Sequence, residues 1–156
     1  MHLTSPAFSD GEPIPDRHAF TGVPGGTNLS LPLAWSDVPE GTASFALSII
    51  DPHPVARNWV HWMVINIPSG EASLPEGASG HAMPRSSKEL QNSFGTMGYG
   101  GPKPPRGSGV HPYVVTVYAL SAGSLDLPAN TPLETFLTAV SDKTLDSASL
   151  TGTFEQ

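Results

Sequence analysis

The stretch GYGGPKPPRGSGVHPYVVTVYAL, Gly98 to Leu120, joins two unlike textures. Nine of its first sixteen residues are glycine or proline. The remainder is an apolar run rich in β-branched and aromatic residues, and it reads as a strand from Tyr113 to Leu120. Proline fixes φ and glycine permits tight bends, so the loop before this strand is both sharply turned and stiff. Such a loop, with His111 and Tyr113 at its junction with a core strand, suits a site where a few polar groups must be held still.

Two other runs share the strand texture. ASFALSII covers Ala43 to Ile50, and WVHWMVINI covers Trp59 to Ile67. The run at Trp59 and the run at Tyr113 are apolar on both faces, which marks interior strands of a covered sheet. LSLPLAW, Leu29 to Trp35, is weaker, because Pro32 confines it to an edge or a bulge. One helix is signalled. Thr131-Pro132-Leu133-Glu134 has the form of a capping box with proline at the first helical position. Leu133, Phe136, Leu137 and Val140 then give the apolar stripe of a helix running to about Leu145. The tail SASLTGTF reads as a last extended segment, and residues 68–94 read as loop. The expected architecture is mainly β, a sandwich or large antiparallel sheet with one or two helices at its margin. A chain of 156 residues suits a single domain, 1–156.

Bulk composition narrows the function. The chain has no cysteine and a formal net charge of −7. Disulfides, thiolate metal sites and a cysteine nucleophile are excluded. The few, scattered basic residues argue against a nucleic-acid surface and against docking on an anionic membrane. MHLTSPAFSDG has neither a basic nor an apolar signal region, and no run is long enough to span a bilayer. A cytoplasmic protein is the expectation.

Alternate residues of a strand share a face. On that rule Trp59, His61, Met63 and Ile65 point one way, and His111 and Tyr113 point together. Asp51 directly follows the first strand. If the three strands are neighbours, these polar groups converge. Taken alone, Asp51-Pro52 is a turn and His61 a core histidine. His2, His18 and His81 carry no signal and read as surface or local structure.

Two motifs change those assignments. DPHPVARNWVHWMVINIP, from Asp51, resembles the first signature of the phosphatidylethanolamine-binding protein family. GYGGPKPPRGSGVHPY resembles the second, a glycine-proline loop ending in His-x-Tyr. The likeness extends from FSDGEPIPDRHAFTG to LDSASLTGTF and is greatest with the bacterial Raf-kinase-inhibitor-like branch. It implies a central antiparallel sheet packed by a smaller one, peripheral helices, and a small anion pocket at one end of the sheet. Carried over residue by residue, the ligand-binding set is Asp51, His61, Lys103, Pro104, Pro105, His111 and Tyr113. Pro52, His53, Trp59 and Gly101 stand at its rim. Two positions depart from the pattern. His53 replaces the usual second acid, and Pro112 replaces the usual base between His111 and Tyr113. Their joint loss is consistent with a salt bridge removed as a pair, which avoids leaving one charge unpaired.

The expected function is the binding of a small anionic or phosphorylated ligand, without catalysis, cofactor or metal. In it, loop amides are held toward the ligand and the imidazoles and phenol supply donors. One X-Pro bond in about twenty is cis in folded proteins, so a cis bond is expected in the GPKPP loop or at Asp51-Pro52. Two other readings are weighed. One is a hydrolase or metal-dependent enzyme built on Asp51, His61 and His111. The other is a regulatory inhibitor of a kinase or protease acting through surface contact. The bacterial branch also implies a homodimer.

Overall fold

The computed structural model describes residues 1–156. The three apolar runs form adjacent strands: β3 (Ser44–Asp51), β4 (Trp59–Pro68) and β7 (His111–Leu120). β3 lies between the other two, antiparallel to both. β6 (Lys88–Glu89) and β8 (Thr144–Phe154) complete a five-stranded sheet in the order β6-β4-β3-β7-β8. β1 (His2–Thr4), β2 (Leu33–Ser36) and β5 (Ser73–Leu74) form a second, three-stranded antiparallel sheet. Pro32 thus stands just outside β2 rather than within it, where it would lack a ladder donor. The tail is the long edge strand β8, and only two-residue strands punctuate residues 68–94.

The large sheet buries apolar side chains on both faces. Against the smaller sheet, Phe45, Leu47, Trp62, Val64, Tyr113 and Val115 meet Leu3, Leu33, Trp35 and Leu74. Against helix α1 (Leu133–Ser141), Ala46, Met63, Ile65 and Leu120 meet Phe136 and Val140. The sheet is therefore sandwiched between a small sheet and a helix, a layer arrangement in which each amphipathic element has a partner.

The helix differs from its sequence signal at both ends. Its N-cap is Pro132, with no side-chain cap. The Thr131 hydroxyl instead donates to the Pro128 carbonyl at 2.6 Å, so the capping box does not form. The helix stops at Ser141, not near Leu145. Residues from Thr144 join β8, because sheet pairing with β7 satisfies more backbone groups than another helical turn. Leu137 lies at the exposed side of the stripe while Phe136 and Val140 are buried.

A bulge in β4 corrects the simple alternation rule. Ile49 pairs with Trp62 and Ile50 with Val60, which leaves His61 as an extra residue on its strand. An inserted residue reverses the facing of everything beyond it. Val60, Met63 and Ile65 consequently face the helix, while Trp62 and Val64 face the smaller sheet. His61 does not share a face with Met63 and Ile65. It turns toward Tyr113, at a ring-centroid distance of 4.9 Å. There are no cis peptide bonds: the glycines supply the bends of the GPKPP loop, and Asp51-Pro52 is trans.

Candidate functional site: an end-of-sheet pocket

The ends of β3, β4 and β7 open onto a cavity of ≈ 350 Å³. It is lined by Asp51, Val55, Ala56, Trp59, His61, Phe94, Lys103, Pro104, Pro105, His111 and Tyr113. All seven residues of the expected binding set line it, with Trp59 from the rim. The other three stand elsewhere. His53 stacks behind His111, centroid to centroid 3.8 Å and 18° from parallel. Pro52 only continues the turn and does not reach the cavity. Gly101 is buried against the backbone of residues 18–20, where an added Cβ would fall 2.1 Å from the His18 carbonyl oxygen. Only glycine fits that approach.

Asp51 and His111 form the buried floor. The Asp51 carboxylate lies 2.6 Å from His111 Nδ1 and also accepts the His53 backbone N–H at 2.9 Å. On the other side of the ring, His111 Nε2 is 2.9 Å from Ser108 Oγ. Ser108 donates its one hydroxyl proton to the Pro105 carbonyl at 2.5 Å, so Oγ accepts from Nε2–H. Both ring nitrogens of His111 are thus held by hydrogen bonds. Burial of such a pair is tolerated because each partner has a further hydrogen bond, Asp51 from the His53 amide and His111 with Ser108. Aspartate, imidazole and serine stand in line, and the Ser108 hydroxyl also reaches the Pro105 carbonyl. This hydroxyl braces the loop.

His61 is the opposite case. Its Nδ1 lies 2.6 Å from the Gly100 carbonyl oxygen. Carbonyls only accept, so Nδ1 carries the proton. Burial dominates the ring's ionisation and pushes it down to about 4, against the raising effects of the Gly100 carbonyl and of Asp51. His61 is therefore neutral near pH 7, with a bare Nε2. Tyr113 is 1% exposed and its hydroxyl has no hydrogen-bond partner. Burial, with the Asp51 charge nearby, moves its ionisation far above the usual phenol range. It stays an O–H donor. Asp51, His61 and His111 line one cavity, but no group of three or more histidines and acids is placed as a metal-ligand set would be.

Loop 98–110 is braced from several sides. Gly98 donates to the Leu90 carbonyl, Gly100 to that of His61 and Gly107 to that of Gln156. Gly101 donates to Asn28 Oδ1 at 2.7 Å, and Tyr99 donates through its amide to Ser79 Oγ. The Tyr99 hydroxyl and the Phe20 amide tie the loop to the segment around His18. His18 is not a surface residue. It is fully buried, with Nδ1 2.7 Å from the Leu29 carbonyl oxygen. The expectation that the loop's amides face a ligand is overturned for these residues: their N–H groups are committed to the protein. What the loop presents to the cavity is Lys103, Pro104 and Pro105.

Phe94, Val55 and Ala56 are lining residues that the sequence reading passed over. Phe94 stacks on Phe20 at 4.3 Å and meets Trp59 and His61 edge-on at 5.3 and 5.7 Å. Its only sequence signal is an aromatic residue inside the polar loop QNSFG. Val55 and Ala56 lie within the first motif, as apolar residues in an otherwise polar turn.

The sequence profile of the phosphatidylethanolamine-binding protein family matches residues 4–155. The chain belongs to this family. The YbhB protein of Escherichia coli is 42% identical over 131 residues, covering 81% of this chain and 82% of that one. A protein of Aquifex aeolicus is 36% identical over all of this chain and 89% of its own. A Mycobacterium tuberculosis relative, 38% identical over 99% of this chain and 72% of its own, is named as a candidate lipoprotein, LppC. Among solved structures, Escherichia coli YbcL superposes with a TM-score of 0.93 at 34% identity, covering 99% of this chain and 98% of that one. The mainly β, two-sheet fold of the family is thus the fold of this chain. No helix is long and apolar enough to cross a membrane.

Proposed function

We propose that this protein binds a small oxyanion, phosphoryl or carboxylate, in the end-of-sheet pocket, and that it acts by binding rather than turnover. The Tyr113 hydroxyl carries the reading. It is a donor buried without a partner in the pocket wall, and an unpaired buried hydroxyl costs free energy until something accepts from it. Lys103 adds a cation at the mouth, its Nζ 5.2 Å from the centre of the Phe20 ring. The cavity volume lies at the small end of the range for small-molecule sites, about 300–1,000 Å³. That leaves room for an oxyanion and a short organic portion against Trp59 and Phe94.

The test is calorimetric titration with inorganic phosphate of wild type and Tyr113→Phe. Loss of a hydrogen bond to a charged group, about 1.5–3 kcal/mol, predicts roughly 10- to 100-fold weaker binding by the variant. Equal affinities would remove the tyrosine from the site, and no heat with either protein would remove the anion. In that last case the regulatory reading, inhibition of a kinase or protease by surface contact, takes precedence. Release of p-nitrophenol from p-nitrophenyl phosphate by purified protein would overturn binding without turnover. A homodimer in the cytoplasm completes the proposal. Light scattering tests the first part. Fractionation tests the second, for which the name of the mycobacterial relative offers no support.

A further inference from the structure

We propose that the turn between β3 and β4 is a docking surface for a protein partner that presents a carboxylate beside an apolar recess. Val55, Arg57 and Trp59 make the contacts. This goes beyond ligand binding, because it concerns the outer side of the turn and not what the cavity holds.

The backbone gives the first sign. Arg57 and Asn58 are consecutive, and both stand in the left-handed region, at φ 53° and 59°. Asparagine tolerates that region, but arginine pays for its Cβ there, and glycine would not. The turn is nonetheless held in place. The amides of Ala56 and Arg57 both donate to the His53 carbonyl at 2.9 Å, and the His53 amide donates to Asp51. Strain that a rigid frame maintains is concentrated at functional positions.

The side chains on this turn give the second. Trp59 is 38% exposed and Val55 55%, whereas Trp35 and Trp62 are buried. Phe94 meets the Trp59 indole edge-on at 5.3 Å and steadies it. Arg57 is exposed, makes no ion pair and does not line the cavity. Tryptophan and arginine are the residue types that most often dominate the energy of protein interfaces.

Charge selects the partner. Residues 52–70 and 90–125 contain no aspartate or glutamate. Asp51, which precedes the turn, is buried and held by His111. The turn and the loop across the cavity therefore carry exposed Arg57, Lys103 and Arg106 in segments without a carboxylate, on a chain of net charge −7. Such a face complements an acidic protein surface. Docking on an anionic membrane takes a cluster of about four to eight basic residues, which these segments do not supply.

The experiment titrates N-acetyl-Leu-Glu-Leu-amide and its Leu-Gln-Leu counterpart into the protein, with and without phosphate. The indole N–H signals in NMR are the readout, since Trp59 is the exposed tryptophan. The glutamate peptide is expected to shift the Trp59 signal saturably, with the same affinity in phosphate and in Tyr113→Phe. The glutamine peptide should bind about two- to fivefold more weakly, the factor of an exposed ion pair. Arg57→Gly should erase that difference while raising the melting temperature by about 2–4 °C, as the strain is relieved. Arg57→Lys should keep the preference for glutamate. Absence of a saturable shift, equal affinities for the two peptides, or a lower melting temperature for Arg57→Gly would overturn the proposal. Competition by phosphate would place the peptide in the cavity and overturn it while leaving the oxyanion pocket standing. Arg57-dependent sedimentation with vesicles of phosphatidylglycerol would overturn it in favour of a lipid surface.

Discussion

Lowering the pH should destabilise this protein through His61, by an amount its environment sets. The imidazole is 3% exposed and ionises at about 4 in the fold, against 6.5 for the free side chain. The unfolded chain therefore binds a proton between these values that the native state refuses. Stability is fully present above pH 6.5 and is lost as pH falls toward 4. Each tenfold change in proton affinity is worth about 1.4 kcal/mol. Integrated from pH 7.5 to pH 4.5, the loss is roughly 2.5 kcal/mol. Burial pushes His18 down as well, so the whole protein loses more than this. His61→Gln isolates the share, because His18 is common to both chains. Urea unfolding at the two pH values should show wild type losing roughly 2.5 kcal/mol more than the variant. Equal losses would refute the argument, and would mean that His61 is solvated or already protonated in the native state.

Other consequences are as definite. Tyr113→Phe removes a hydroxyl that has no partner, so thermal stability should stay within about 1 kcal/mol of wild type or rise. A larger loss in the melting curve would show that the hydroxyl is bonded. Asp51→Asn leaves His111 without its carboxylate at a site only 2% exposed. Breaking a buried pair costs about 3–5 kcal/mol, and an unchanged urea midpoint would contradict the pairing. Gly101→Ala drives a methyl group into the backbone of residues 18–20. Overpacking typically costs about 1–3 kcal/mol, here with a displaced Lys103–Pro105 segment and weaker phosphate binding. Wild-type melting and affinity would refute the close packing.

The strands were legible because their cause is local. Runs such as SFALSII and YVVTVYAL are apolar, β-branched and bounded by turn formers, and they form β3 and β7 nearly as read. Their meeting at one end of a sheet is not local. It came from two motifs whose spacing matches the family, not from periodicity. What failed depended on tertiary competition. The helix yields Thr144 and Leu145 to β8 because pairing with β7 is the better partner. Thr131 has the residue type of a cap but finds the Pro128 carbonyl first. The bulge at His61 inserts one residue opposite Ile49 and Ile50, and nothing in WVHWM announces it, yet it decides which way the imidazole points. Phe94 reaches the pocket from a loop with no periodicity, so only the fold could place it there. The loop amides show the same limit: the Gly-Pro composition foretold tight bends, but not that Asn28, His61 and Gln156 would take their hydrogen bonds.

The central claim is that Asp51, His61, His111 and Tyr113 close one oxyanion pocket at the end of the sheet. Histidine ring NMR during a phosphate titration tests it most directly, since six histidines report from different parts of the chain. His61 and His111 signals are expected to move together and saturate, while those of His2 and His81 stay fixed. Saturating shifts at His2 or His81 with His61 unmoved would contradict it.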